Sequence, residues 1–77
     1  MRVTLENTTK VVELVINGQR VPARVWEGET ASGIKIHAYI TRIAVSDQDD
    51  ASEFETALQS CRAPSPEVEA IPLRLIL

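Results

Sequence analysis

The sequence contains few of the residues that cross-link small proteins. Among its 77 residues are one cysteine and one histidine, so no disulfide can form within the chain. The aromatic residues are only Trp26, Tyr39 and Phe54. A chain of this length is expected to form one domain, residues 1–77, and to bury only about 60% of its unfolded surface. We therefore expect modest stability without covalent support.

Targeting signals are also missing from the sequence. No apolar run approaches the roughly 20 residues of a membrane-spanning helix. No apolar leader opens the chain, and Cys61 has no second cysteine as a partner. These absences predict a soluble protein in a reducing, cytoplasmic setting, without membrane contact.

The common catalytic and metal-binding motifs are absent as well. There is no glycine-rich phosphate loop, no paired CxxC, no HExxH and no nucleophile elbow. His37 has no nucleophile or orienting acid at a matching position, and Cys61 falls on the apolar stripe of a predicted helix. Asp47, Asp49 and Asp50 lack the glycine and the distant glutamate of a calcium loop. We therefore expect no enzyme activity, no cofactor and no metal.

Charge is present in both signs but is distributed unevenly. The net charge is −3, with six basic and four acidic side chains in residues 1–46, and two basic and seven acidic ones in residues 47–77. The first part is therefore mildly basic and the second clearly acidic. This asymmetry bears on possible partners rather than on the fold.

A β-hairpin is the clearest element, and it is predicted over residues 11–26. The Asn17-Gly18 pair accepts positive φ at both positions, as a type I′ turn requires. A two-residue turn places Leu14 opposite Val21 and so divides the hairpin residues between two faces. The predicted core face carries Val12, Leu14, Val21, Ala23 and Val25. The other face carries Val11, Glu13, Val15, Arg20, Arg24 and Trp26.

The longest apolar strand is predicted over residues 34–45. Alternation over its first half places four apolar residues on the core face and four polar ones outside. These are Ile34, Ile36, Ala38 and Ile40 against Lys35, His37, Tyr39 and Thr41. Towards the end of the strand the apolar residues Ile43 and Val45 fall at odd-numbered positions instead of even-numbered ones. This shift indicates a bulge or burial on both faces. Pro22 has no N–H to offer this strand, so a ladder bond is missing there or a bulge intervenes.

One helix is predicted over residues 50–61 and a last strand over residues 68–77. Asp50 followed by Glu53 resembles a capping box, with Asp49 as the alternative cap. The apolar stripe of the helix consists of Ala51, Phe54, Ala57, Leu58 and Cys61. Pro72 confines the last strand to an edge or to the start of the paired region, and the strand should run parallel to the third one. Residues 1–9 fit either a short extra strand or a frayed end.

The predicted fold is therefore α+β. It consists of a small, mostly antiparallel four-stranded sheet with the element order β-β-β-α-β and one helix packed on one face. The pattern leaves the position of the last strand in the sheet open.

Two binding functions from different classes fit these residues. The first is protein binding, through a sheet face that carries Arg20, Arg24, Trp26, Tyr39 and Arg42, or through an acidic surface of Asp47, Asp49, Asp50 and Glu53. A second copy of the chain or a larger protein would occupy the sheet face. The alternative is single-stranded nucleic acid, for which the mixture of basic and aromatic side chains on the outer face is suited.

In size, acidity and lack of motif, the chain resembles the small accessory proteins of phages and mobile elements. Some proteins of that kind inhibit host defence complexes. The resemblance implies a non-catalytic, stoichiometric inhibitor or accessory protein that acts on a larger host protein or protein–nucleic-acid complex.

Overall fold

The computed structural model describes residues 1–77 as one sheet of four strands with two short helices. The elements are β1 (Val3–Ile16), β2 (Gln19–Thr30), β3 (Lys35–Ile40), α1 (Ala51–Leu58), α2 (Pro66–Glu69) and β4 (Arg74–Ile76). The order in the sheet is β3-β2-β1-β4. The β1–β2 and β2–β3 pairs are antiparallel, whereas β4 is parallel to β1. The result is a small α+β fold with a mixed sheet curled into a half-barrel.

The predicted hairpin register is confirmed. Leu14 pairs with Val21 and Ile16 pairs with Gln19, and the turn residues Asn17 and Gly18 have φ values of 51° and 78°. The hairpin is longer than predicted, because β1 begins at Val3 and β2 continues to Thr30. Residues 3–9 are therefore strand.

A bulge interrupts β1 between Asn7 and Val11, so that residues 8–10 lie opposite the single residue Val25. Thr8 is completely buried, and its side chain provides hydrogen bonds to backbone groups at the interruption of the ladder. Its hydroxyl donates to the Val25 carbonyl at 2.7 Å and accepts from the Lys10 N–H at 3.2 Å. The Lys10 ammonium then donates to the Glu69 carbonyl at 3.0 Å, at the end of α2. The bulge thus connects β1 with the tail of the chain.

The core lies on one face of the sheet, here called the core face, and its buried apolar residues are Val12, Leu14, Ala23, Val25 and Val68. The first four belong to the face predicted from the hairpin. Val68 comes from α2, and Ile71 and Leu75 pack beside it. The expected packing of the residue 50–61 helix on this face is not observed, because α1 contains no buried residue. Val68 of α2 and the following residue Ile71 pack against the core instead.

The predicted last strand, residues 68–77, is wrong in its first half. Ser65 caps α2 by accepting from the Val68 N–H at 3.4 Å, and Pro66 occupies the first turn, where a missing N–H costs nothing. The chain is therefore helical through Glu69, and only Arg74–Ile76 pair with β1.

The prediction for the faces of the third strand is also wrong. Tyr39 pairs with Val25 and so lies on the core face, whereas Ala38 pairs with Trp26 on the opposite face. The reason is the tight connection between β2 and β3. The Thr30 N–H donates to the Ile34 carbonyl at 2.9 Å, and Gly33 has a φ of 89°, typical of a three-residue hairpin loop. This loop sets the odd-numbered residues of both strands on the same face.

β3 is shorter than the predicted residues 34–45 and ends at Ile40, opposite Arg24. Two residues earlier in β2, Pro22 has no N–H with which to continue the ladder. The missing ladder bond or bulge expected at Pro22 does not arise, because the pairing of β3 ends before it reaches Pro22. Thr41 to Ser46 follow without regular structure.

Candidate functional site

An open groove lies on the face of the sheet opposite the core, here called the Trp26 face. It is bounded by β2 and the end of β3 on one side, and by the end of α1 and the residues that follow it on the other. The groove has a volume of about 550 Å³ and is lined by Arg24, Trp26, Ile40, Thr41, Arg42, Ile43, Leu58, Gln59 and Cys61. We call it the Trp26 groove.

Two hydrogen bonds to β1 fix the walls of the groove. The Asn7 side-chain amide donates to the Leu58 carbonyl at 2.9 Å and so holds the end of α1 against the sheet. The Arg24 guanidinium donates to the Thr8 carbonyl at 2.7 Å and lies 3.9 Å from the Cys61 sulfur. Both contacts reach the bulge region of β1, so the bulge positions the groove as well as the tail.

The groove is positively charged within an acidic protein. Its lining contains Arg24 and Arg42 but no carboxylate. Arg24 bonds only to neutral acceptors, and Arg42 takes part in no ion pair. Since Trp26, Ile40 and Leu58 line the same groove as these charges, the groove suits an apolar group attached to an anionic one.

The structure brings together three of the five residues predicted for the sheet face, namely Arg24, Trp26 and Arg42. Arg20 lies nearer the hairpin turn and forms an ion pair with Glu13 at 3.7 Å. Tyr39 is on the core face and packs against the core. The prediction missed Leu58 and Cys61 as groove residues, although both were recognised as part of an apolar helix stripe.

The predicted acidic surface consists of exposed residues before and within α1, namely Asp47, Asp49, Asp50 and Glu53. The expected helix cap at Asp50 is confirmed. Its carboxylate accepts from the Ser52 hydroxyl at 2.7 Å and from the N–H groups of Ser52 and Glu53 at 2.9 and 3.2 Å. These hydrogen bonds, the Ser52 side-chain bond above all, lower the pKa of Asp50.

A second, more polar cleft of about 770 Å³ opens on the other side of the sheet, around Glu27. The Glu27 carboxylate accepts from the Ser65 N–H at 2.7 Å and pairs with Arg62 at 3.0 Å. Burial raises the pKa of Glu27, but the hydrogen bonds from Ser65 and Arg62 outweigh burial and hold the pKa below its ordinary value. Glu27 therefore clamps the tail onto β2.

His37, the single histidine, lies across from Glu27 on β3. Its ring is 3.2 Å from the Tyr39 hydroxyl and edge-on to the Tyr39 ring. The carboxylate of Glu27 is already occupied by Arg62 and Ser65, so it does not orient the imidazole. The arrangement lacks the base–acid pair of a nucleophilic site.

No group of three or more His, Cys, Asp or Glu side chains is placed to hold a metal ion. Neither helix has the length and apolar character needed to cross a membrane. Comparison with known proteins finds no matching family model, no matching curated protein and no matching solved structure.

Proposed function

We propose that this chain acts by binding a protein, and that the Trp26 groove is its docking site. The observation that carries the proposal is the composition of the groove, in which Arg24 and Arg42 border an open apolar surface without any carboxylate. The partner segment would place an apolar side chain against Trp26 and a carboxylate beside the two arginines.

The residue types of the groove support this assignment. Tryptophan and arginine are the residues that most often dominate binding energy at protein interfaces. Trp26 is half-buried, so its indole is held by the sheet and still accessible from the groove. An anchor that is already ordered loses little conformational entropy when a partner binds.

The broader biological role is a further part of the proposal. We propose a stoichiometric inhibitor or accessory protein of phage or mobile-element type, located in the cytoplasm, that acts on a larger host protein or protein–nucleic-acid complex. The short length and the net charge of −3 support this role. The exposed carboxylates of Asp47 and Asp49 would add contacts to a basic surface of such a partner.

Single-stranded nucleic acid is less well supported as the ligand. Trp26 and Tyr39 lie on opposite faces of the sheet, so successive bases cannot stack on both. Lys35 and His37 share the Tyr39 face and are therefore separated from Arg24. The basic and aromatic surface expected for such a ligand is divided between two faces.

The test is affinity capture from a lysate of the native host, with the recovered proteins measured quantitatively. Trp26→Ala and Arg42→Ala should each reduce recovery of the partner at least about tenfold, as expected for interface residues worth more than 1.4 kcal/mol. Arg20→Ala is the matched control, because Arg20 lies outside the groove and pairs with Glu13. Circular dichroism verifies that each variant is folded.

A selection of displayed random peptides gives a second readout that does not depend on the host. Enriched peptides should combine an apolar residue with a nearby Asp or Glu, and Arg42→Ala should abolish the acidic preference. Recovery that is equal for Trp26→Ala, Arg42→Ala and Arg20→Ala would refute the assignment. Salt-sensitive binding of single-stranded oligonucleotides in place of peptides would favour the nucleic-acid function instead.

A further inference from the structure

β3 forms an open edge of the sheet, because only β2 pairs with it. Thr30 and Ile34 form a hydrogen-bonded pair, because the Thr30 N–H donates to the Ile34 carbonyl. Hydrogen-bonded and non-hydrogen-bonded pairs alternate in an antiparallel ladder. The even-numbered residues of β3 thus bond to β2, and the backbone groups of Lys35, His37 and Tyr39 face outward.

The two edges of the sheet differ in how well they are protected. β4, at the other edge, has only three residues and follows Pro72, and shortness and proline are common ways of blocking an edge. β3 has six residues without proline, glycine or a bulge, and its one lysine, Lys35, lies at its first position. Its edge is therefore available for another strand.

The order of apolar and polar residues along this edge is symmetric about His37. From Ile34 to Ile40 apolar residues alternate with Lys35, His37 and Tyr39, so the pattern is the same when it is read in reverse. In an antiparallel pair of two copies centred on His37, Ile34 of each copy would lie opposite Ile40 of the other. Lys35 would lie opposite Tyr39, and Ile36 opposite Ala38. Each pair would bring together residues on the same face.

We propose that the β3 edge binds a second copy of this chain, antiparallel, with His37 on the twofold axis. The dimer would contain one continuous eight-stranded sheet with an isologous interface. This inference does not rest on the function proposed for the Trp26 groove, since it uses the backbone edge of β3.

The exposed area of the chain supports a second copy. A compact protein of 8.5 kDa exposes about 4,700 Å², whereas this chain exposes 5988 Å². The excess of about 1,300 Å² is larger than the roughly 800 Å² that each partner contributes to a stable interface. The radius of gyration, 13.7 Å, also exceeds the approximately 11.5 Å of a compact chain of this length. Ile34, at the end of the edge, is 62% exposed.

The first measurement is the mass in solution by size-exclusion chromatography with light scattering, over about a hundredfold range of concentration. We expect twice the 8.5 kDa of one chain at the higher concentrations. A monomer throughout would overturn the inference. An assembly larger than a dimer would also overturn it, because a twofold edge pair closes.

The second measurement tests the register by disulfide formation in a Cys61→Ala background. His37→Cys should cross-link under mild oxidation, because Cα atoms of a hydrogen-bonded pair are about 5.5 Å apart, within disulfide range. Lys35→Cys is the matched control. Its two copies would be separated by about four residues, roughly 14 Å, and should not cross-link. Equal cross-linking of both variants, or none for His37→Cys in a dimeric sample, would overturn the register.

A third variant separates the edge from the groove. His37→Pro removes an N–H that faces outward and leaves the bonds to β2 intact, so it should yield a folded monomer. A dimer that persists in this variant would contradict pairing through β3. Trp26→Ala and Arg42→Ala should leave the dimer unchanged, so the failure of one proposal is distinguishable from the failure of the other.

Discussion

Replacement of Thr8 by valine tests whether the hydroxyl in the β1 bulge holds the fold together. Valine has almost the same shape, so the variant removes hydrogen bonds without opening a cavity. The Thr8 side chain is completely buried and Lys10 is only 8% exposed. Loss of the hydroxyl would leave the Val25 carbonyl and the Lys10 N–H without their partners.

The expected loss of stability follows from these two groups. A buried polar group left without a partner costs roughly 1–3 kcal/mol, and we expect about 2–6 kcal/mol for the pair. The total stability of a chain of this length is about 4–12 kcal/mol. Thr8→Val should therefore lower the urea midpoint by a large fraction of its value.

Two further variants isolate the role of the hydroxyl. Thr8→Ser keeps the hydroxyl and loses one methyl group, for an expected cost of about 1 kcal/mol. Thr9→Val changes an exposed neighbour and should stay within about 0.5 kcal/mol of the wild type. Urea unfolding followed by Trp26 fluorescence, at a fixed protein concentration, measures all three. A Thr8→Val protein more stable than Thr8→Ser would show that packing, and not hydrogen bonding, determines the requirement at this position.

Two other residues give sharp predictions. A Cβ atom at Gly28 would overlap the carbonyl oxygen of Thr4 on β1. Gly28→Ala should therefore lower the free energy of unfolding by about 1–3 kcal/mol, measured by urea unfolding. An unchanged free energy of unfolding would mean that the two strands separate at this position without strain. Glu27 has a folded-state pKa below its ordinary value of 4.5, so its stabilisation is present above that value and is lost as the pH falls through the lowered pKa. Glu27→Gln should therefore be less stable than the wild type at pH 7 and should lose less stability on acidification. If the urea midpoints of Glu27→Gln and of the wild type fell in parallel as the pH is lowered, the stabilising role of the Glu27 carboxylate would be contradicted.

The parts of the fold that were predicted correctly are those specified by neighbouring residues. Asn17-Gly18 determines a turn with known geometry, and the register of the hairpin follows from it. Asp50 was recognised as a cap because the N–H groups that donate to its carboxylate lie only two and three residues along the chain.

The wrong predictions concern features that depend on distant parts of the chain or on the exact length of a loop. The alternation in β3 was recognised, but its direction was not, because the length of the loop at Ala31–Gly33 determines which parity faces the core. Helix α1 has an apolar stripe suited to the core, yet Val68 occupies that space. Ser65 and Pro66 together mark a helix start, which the predicted strand from residue 68 did not take into account.

The Trp26 groove was only partly predictable for the same reason. Arg24 and Trp26 alternate on one strand, so their common face followed from the sequence. Leu58 and Cys61 reach the groove through the Asn7 side chain, whose bond to the Leu58 carbonyl joins residues 51 positions apart. No local pattern reveals such a contact.

The bond between the Lys10 ammonium and the Glu69 carbonyl has a consequence for the order in which the protein assembles. It closes a loop of 59 residues, and a loop of that length costs about 3.6 kcal/mol of chain entropy beyond a constant. The hairpin of β1 and β2 closes only a two-residue turn and can form within microseconds. Helix α2 and β4 should therefore be the last elements to dock and the first to detach. Their amide protons should exchange together and earlier than those of the hairpin, and each such opening would expose Val12 and Leu14 to water.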